Sequence, residues 1–303
     1  MDNVALLLSS NLLPDSEGRR KDAFEFDEQI EKLVPAFAAH DLRLETVVWE
    51  ESLDRAGDYA LIMPLMVWDY ADGKHEQFLD TMQQLAAQTR VLNPCEMLKW
   101  NLDKSYLERL SNRGAPVLPS ISVETVTEAC IDRAFEELKT DHIVIKPRIG
   151  AGAWRQVSLK LGDALPDAST LPPAAALIQR FENNVQTEGE YSLIYFDGEF
   201  SHALIKRPKA GDYRIQSLYG GTEERVKPTA EQFEVCRRVL KTLDTTPLYA
   251  RLDLLRGHDG DFKLIELELI EPYLYLAHAS GDGGENEGAQ MLAAAVGRRL
   301  NSA

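Results

Sequence analysis

The stretch "YARLDLLRGHDGDFKLIELELIEP", Tyr249 to Pro272, constrains this chain more than any other. It reads as two apolar strands joined by a turn, with Arg251, Asp253, Glu266 and Glu268 set inside the apolar runs. Strand side chains alternate between faces, so Arg251 and Asp253 share one face while Leu252 and Leu254 take the other; Glu266 and Glu268 likewise oppose Leu267 and Leu269. The turn from His258 to Asp261 contains Asp-Gly, which favours the positive φ of tight turns and supports antiparallel pairing of the two runs. A guanidinium and three carboxylates thereby meet on one surface. A sheet face open to water would tolerate them. Acidic residues at i and i+2 nevertheless repel unless a cation lies between them, and a divalent metal is the natural guest.

Around this hairpin, 303 residues are enough for two or three lobes, and 44% hydrophobic with 27% charged residues is the balance of a globular protein. A formal charge of -16 argues against sequence-independent binding of nucleic acid or anionic membrane, both of which need a basic surface. A polyphosphate ligand would therefore need a local basic pocket. No stretch approaches the roughly 20 apolar residues of a membrane span, and "MDNVALLLSSNLLP" reads as a first strand rather than a signal peptide, for want of a basic leader. Cys95, Cys130 and Cys236 are odd in number and widely spaced, which suggests neither disulfides nor a zinc site and points to a cytoplasmic chain.

The runs "VALLLSS", "LRLETVVW" and "YALIMPL" alternate with helical runs around residues 26–39 and 75–88, the pattern of a small α/β lobe with a parallel sheet, ending near "VLNP". "NLDKSYLERLSNRGAPVLPS" predicts a helix carrying Leu107 and Leu110 on one side, with Lys104 on its first turn and Gly114 and Pro116 as its stop. "HIVIKPRIGAGAWRQVSLKLG" predicts strand, glycine turn, strand; "EYSLIYFDGEFSHALIKRP" a hairpin turning at Asp197-Gly198; and "GAQMLAAAVGRRL" a last helix. The segment 163–175 is the most linker-like.

Several basic and polar residues sit where a nucleotide could use them. Lys146 ends the strand "IVIK" before the loop Gly150-Ala151-Gly152, so its ammonium could flank a phosphate approached by loop amides, or simply be solvated. The loop is neither a Walker A nor a GxGxxG sequence. Lys104 at a helix start is either another phosphate group or a surface lysine. Arg214, between a Gly-Asp pair and Gly220-Gly221, could clamp a phosphate oxygen or be a plain surface arginine. Gln179 could face a purine edge and Glu190 a ribose hydroxyl. On the substrate side the candidates are Arg19, Arg20 and Lys21 in a charged loop, Trp68, Asp69 and Tyr70 after a strand end, and Arg155 and Glu271. His202 and His278 lack partners at metal spacing and read as structural.

Over roughly its last two thirds, the ordered set "DK" at 103–104, "IVIKP" with its glycine loop, "IQRF" then "GEYSL", "DYRIQ…GG" and "ARLDLL…LIELEL" resembles the ATP-grasp superfamily. The R-x-D and E-x-E pair is similar to D-alanine:D-alanine ligase, "DYRIQSLYGG" to bacterial glutathione synthetase, and "ELELIEPYLYL" to the cycloserine-forming branch. The resemblance implies an α/β (α+β) ATP-grasp fold: a small N-terminal parallel α/β lobe over residues 1–95, a central lobe with the glycine loop over 96–185, and a metal-bearing C-terminal lobe over 186–303, the last two sandwiching ATP. It implies that Lys104 and Lys146 bind the α- and β-phosphates, that Gly150 to Gly152 close over ATP, and that Gln179 sits at the adenine hinge with Glu190 at the ribose. Arg214 would meet the γ-phosphate and Arg251 the reacting carboxylate. Asp253, Glu266 and Glu268 would hold two Mg2+ ions, with Mn2+ able to substitute; Glu268 stands where the superfamily commonly has Asn. The implied reaction activates a small-molecule carboxylate as an acyl phosphate and joins it to an amine-type nucleophile, between molecules or by ring closure in specialised metabolism. A small-molecule kinase and a non-catalytic nucleotide-binding protein are the alternatives. A homodimer is expected by analogy with the family.

Overall fold

The computed structural model describes residues 1–280 and 285–302, arranged as three sheets with helices against them. The first sheet is wholly parallel, in the order β2-β1-β3-β4, from β1 (Asp2–Leu8), β2 (Leu42–Val48), β3 (Leu61–Met66) and β4 (Arg90–Val91). Its crossovers include α1 (Ala23–Ala39) and α2 (His75–Ala86). The runs of β1 and β3 are buried almost end to end, as expected of parallel strands covered on both faces.

Two short helices follow, α3 (Cys95–Asn101) and α4 (Tyr106–Asn112). The second sheet, in the order β5-β8-β6-β7, is antiparallel: β5 (Ser120–Val123), β6 (His142–Pro147), β7 (Val157–Lys160) and β8 (Ala176–Arg180), with α5 (Glu128–Glu137) beside it. The linker-like segment 163–175 is a connection inside this sheet, from β7 to β8. After α6 (Asn184–Thr187) come the strands of the third sheet, β9 (Glu190–Phe196), β10 (Glu199–Arg207), β11 (Thr222–Arg225), β12 (Tyr249–Arg256) and β13 (Phe262–Glu268), in the order β11-β10-β9-β12-β13. α7 (Ala230–Lys241) precedes β12, and α8 (Glu287–Asn301) ends the described chain.

The β9–β10 turn has Asp197 and Gly198 both at positive φ, 53° and 81°, the conformation that a two-residue hairpin loop requires. Apolar residues of β9, β12 and β13 bury one face of the third sheet against α4 and α7, with Leu107, Leu110, Val239, Leu252 and Leu254 fully enclosed. The opposite face carries the charged residues. Strand β13 is an edge, yet its backbone is engaged: Leu118 N–H donates to Leu264 O, Leu264 N–H to Pro116 O, and Asn101 bridges Leu267 O and Leu269 N–H. Covering an edge in this way removes a template for unwanted strand pairing.

Candidate functional site

The period-2 alternation of β12 and β13 builds the floor of a cleft. Across the ladder Arg251 faces Glu268 and Asp253 faces Glu266. On the other side Asp253 faces Ser192 of β9, and Glu190 faces Lys206 of β10. All seven side chains project from one face toward the second sheet, which contributes Lys146 and Gln179. The enclosed space is about 280 Å3.

The charges interlock. Arg251 donates to both oxygens of Asp253, at 3.1 and 2.9 Å, to Glu268, and to the carbonyl of Tyr273 at 3.2 Å. Lys206 Nζ lies 2.6 Å from Glu190 and 3.4 Å from Asp253, which also accepts from Ser192. Lys104 Nζ is 3.0 Å from Glu266 and donates to Gly150 O at 2.6 Å, tying the glycine loop to the floor. Among the described residues, Lys146 makes no ion pair.

Electrostatics follow from this wiring. Burial alone would raise the Asp253 carboxyl, but Arg251 and Lys206 prevail and hold it at about 2. Burial opposes ionisation of Glu266 too, and Lys104 with Lys146 keeps it below the usual range. For Glu268 burial wins: with Asp253, Glu266 and Glu271 nearby, its carboxyl rises to about 8 despite Arg251. Burial pulls Lys146 below the ordinary lysine value, with Glu266 only partly offsetting it.

Asp253, Glu266 and Glu268 thus share a face, but among the described residues they do not close into a ready cage; each is engaged by a side-chain cation. The set still suits a hard divalent ion: three carboxylate groups, two of them partly open to the cleft, in a place where Glu268 is short of positive charge.

Other candidates are distributed unevenly. Gly150 and Gly152, at φ 158° and 61°, lie in the loop over the cleft. Gln179 lines it with its amide nitrogen lacking a partner among the described residues, and the Gln216 side-chain oxygen likewise lacks one among them. Arg214 lines the cleft from the loop after β10, held by Asp212 at 2.7 Å and stacked 3.9 Å from the Tyr219 ring. Lys104 is not on a helical turn but in the turn before α4, which opens at Tyr106; its backbone N–H donates to Arg148 O, tying that turn to the end of β6.

On the side of the first sheet, Arg20, Trp68, Tyr70 and Glu271 line the cleft. Four expected substrate groups do not: Arg19 pairs with Asp27 at 2.7 Å, Lys21 is exposed, and Arg155 donates to Leu171 O. Asp69, the fourth, is buried as an acceptor for Ser9, Trp49 and Lys74. His202 and His278 are structural, donating to Leu274 O and facing Glu223 respectively. Sequence reasoning missed Ser192, Lys206 and Tyr275. The first two join the site only through the pairing of β9 with β12, 61 residues apart at Ser192 and Asp253, which no local pattern encodes. Tyr275, at φ 50°, turns its ring under Lys206 and Arg251, 5.7 and 5.5 Å away.

Comparison with known proteins bears on the fold. Residues 4–93 match the family model of the D-cycloserine synthetase DcsG N-terminal domain. The chain is 25% identical over 289 residues to the cycloserine biosynthesis protein DcsG of Streptomyces lavendulae, covering 90% of this chain and 94% of that one. The crystal structure of D-cycloserine synthetase DcsG superposes with a TM-score of 0.81 at 24% identity, over 98% and 99% of the two chains. D-alanine–D-alanine ligase from Bacillus anthracis gives 0.68 at 14% identity over 99% and 98%. The chain therefore has the ATP-grasp fold, and it resembles the ATP-grasp ligases of the D-cycloserine synthetase type along nearly its whole length.

Proposed function

We propose that this protein is an ADP-forming ligase that activates the carboxylate of an amino-acid-like small molecule and forms an amide-type bond, in a specialised biosynthetic route like that of its cycloserine-forming relative. The observation that carries the reading is the gathering of Lys104, Lys146, Lys206 and Arg251 with Asp253, Glu266 and Glu268 around one cleft beneath a glycine loop. ATP is the co-substrate. Lys104 and Lys146 bind its α- and β-phosphates, Gly150 and Gly152 cover them, Gln179 meets the adenine, Glu190 the ribose and Arg214 the γ-phosphate. Asp253, Glu266 and Glu268 would hold Mg2+, which when bound neutralises charge on the polyphosphate.

A substrate carboxylate oxygen attacks the γ-phosphorus, the bond to the β-phosphate oxygen breaks, and ADP leaves. The acyl phosphate then takes an amine, which loses a proton as inorganic phosphate departs. Arg251 faces the reacting carboxyl group and stabilises the oxyanion of that addition, a role worth about 10²–10³ in rate. Burial of the cleft floor keeps water from competing for the acyl phosphate.

The test is ATP turnover with hydroxylamine as the nucleophile, over a panel of D- and L-amino acids. A hydroxamate formed together with ADP is the expected result. A phosphorylated product without hydroxamate would instead make the protein a kinase, and ADP release from none of the panel would sink the reading for amino-acid substrates.

A further inference from the structure

Resting on the ligase reading, we infer that Glu271 anchors the substrate's ammonium group, in a subsite walled by Trp68, Tyr70 and Tyr273, so that the enzyme selects a carboxylic acid bearing an amine. Glu271 follows β13 by three residues and lines the same cleft as Arg251 and Glu268. Its position is fixed: Trp68 Nε1 donates to its backbone carbonyl at 3.1 Å, the next residue is Pro272, and the Tyr70 hydroxyl stands beside its carboxylate.

Among the described residues no cation touches that carboxylate. Of four basic groups around the cleft, three are committed elsewhere, Lys104 to Glu266, Lys206 to Glu190 and Arg251 to Asp253 and Glu268. The fourth, Lys146, has no acidic group within 4.0 Å of its ammonium among the described residues. A carboxylate held in a cleft beside a phenol, with Lys104 and Arg251 near but each paired to another acid, calls for a positive partner of its own. The walls suit an ammonium group, because aromatic faces attract cations. Arg20 already uses this property of Trp68, with its guanidinium 5.7 Å from the ring while Asp22 holds its charge.

A second observation bears on the same subsite. Tyr275 is 8% exposed, its hydroxyl makes no hydrogen bond within the described chain, and it lines the cleft beside Arg251. Tyr275, with the one N–H that Arg251 leaves unused, thus presents donors for one end of a small zwitterion, while Glu271 presents an acceptor for the other. An α-amino acid carries both ends. A hydroxy acid of the same carbon skeleton lacks the second and leaves Glu271 unpaired, and leaving a buried charged group unpaired is the stronger source of discrimination.

The experiment compares wild type with Glu271→Gln and Glu271→Asp, the full chain in each case. Gln retains an oxygen for the Tyr70 hydroxyl, so the fold is kept, and titration with Mg2+ and ADP checks that the nucleotide site is intact. ADP release is measured with the amino acid that best stimulates wild type and with the hydroxy acid of identical skeleton. For Glu271→Gln we expect KM for the amino acid to rise about 10- to 100-fold with kcat within a few fold, the preference for the amino acid over the hydroxy acid to collapse because no charge is left unpaired, and partial recovery in Glu271→Asp. An unchanged KM for the amino acid overturns the subsite. A fall in kcat at constant KM overturns it too, and makes Glu271 a proton acceptor instead. Failure of every amino acid to stimulate wild type is a different result: it removes the ligase reading and the subsite with it.

Discussion

Asp253 is the most heavily wired carboxylate in the cleft, with donors from Ser192, Lys206 and Arg251, whereas Glu266 is held chiefly by Lys104 and keeps 29% of its side chain open. The two therefore answer mutation differently. Glu266→Gln is expected to keep the thermal midpoint near that of wild type and to lower ADP formation about 100-fold or more, read by coupled ADP assay alongside a melt. Undiminished turnover in that variant would reject Glu266 as a metal-binding group. His202 shows the opposite sort of residue, buried and neutral for the sake of the fold. Burial depresses its pKa to about 4, and its ring donates to Leu274 O at 2.8 Å. Below pH 6.5 the unfolded chain takes up a proton that the folded chain refuses, so this residue costs stability as pH falls from 6.5 toward 4, by up to about 3 kcal/mol. His202→Gln keeps an N–H for Leu274 O and should flatten the slope of stability against pH in that window, measured by urea denaturation at several pH values. What the sequence revealed at this scale was whatever depends on alternation: Arg251 and Asp253, then Glu266 and Glu268. It could not reveal that Asp69 turns inward to Ser9 and Trp49, because a W-D-Y stretch after a strand end looks the same whichever way its aspartate points.

The longer apolar strands and the two hairpin turns were legible for the same reason, since each is a short-range pattern, whereas the short strands β4, β5 and β11 carry too few apolar residues to announce themselves. The helix expected from Lys104 starts instead at Tyr106, and that shift of two residues matters, because it frees the Lys104 side chain to span Glu266 and Gly150. Another element boundary makes a sharper test. Gly189 opens β9 at φ 116°, and a Cβ there would fall 2.7 Å from Lys206 O and 3.0 Å from the Arg207 side chain. Backbone cannot yield as a side-chain tip can, and positive φ adds strain for any other residue. Gly189→Ala should therefore destabilise the protein by about 2–4 kcal/mol and, by spreading β9 from β10 beside Glu190 and Lys206, weaken nucleotide binding. Chemical denaturation and titration with Mg2+ and ADP would check both; a fully stable variant would show that the ladder can shift around this point.

At the scale of the molecule, the first and third sheets are joined by a few buried amides. Asn93, fully buried, donates to Tyr249 O and Leu269 O and accepts from Leu248 N–H. Asn93→Leu keeps the volume but strands three backbone groups, so a loss of about 3 kcal/mol or more is expected in urea denaturation. If stability were unchanged, the joint would be held by apolar packing alone. This long-range stitching was not legible in the sequence, where "VLNP" marks only the end of the first lobe. Nor was the partner of the first sheet. Leu33 and Phe37 of α1 share a single core with Leu276, Leu292 and Val296, so the apolar stripe of the last helix closes a lobe begun by the first strand. During synthesis the strands of the first sheet would leave the ribosome with that stripe missing, and must wait, half-dressed in apolar surface, for nearly two hundred more residues before their core can be sealed.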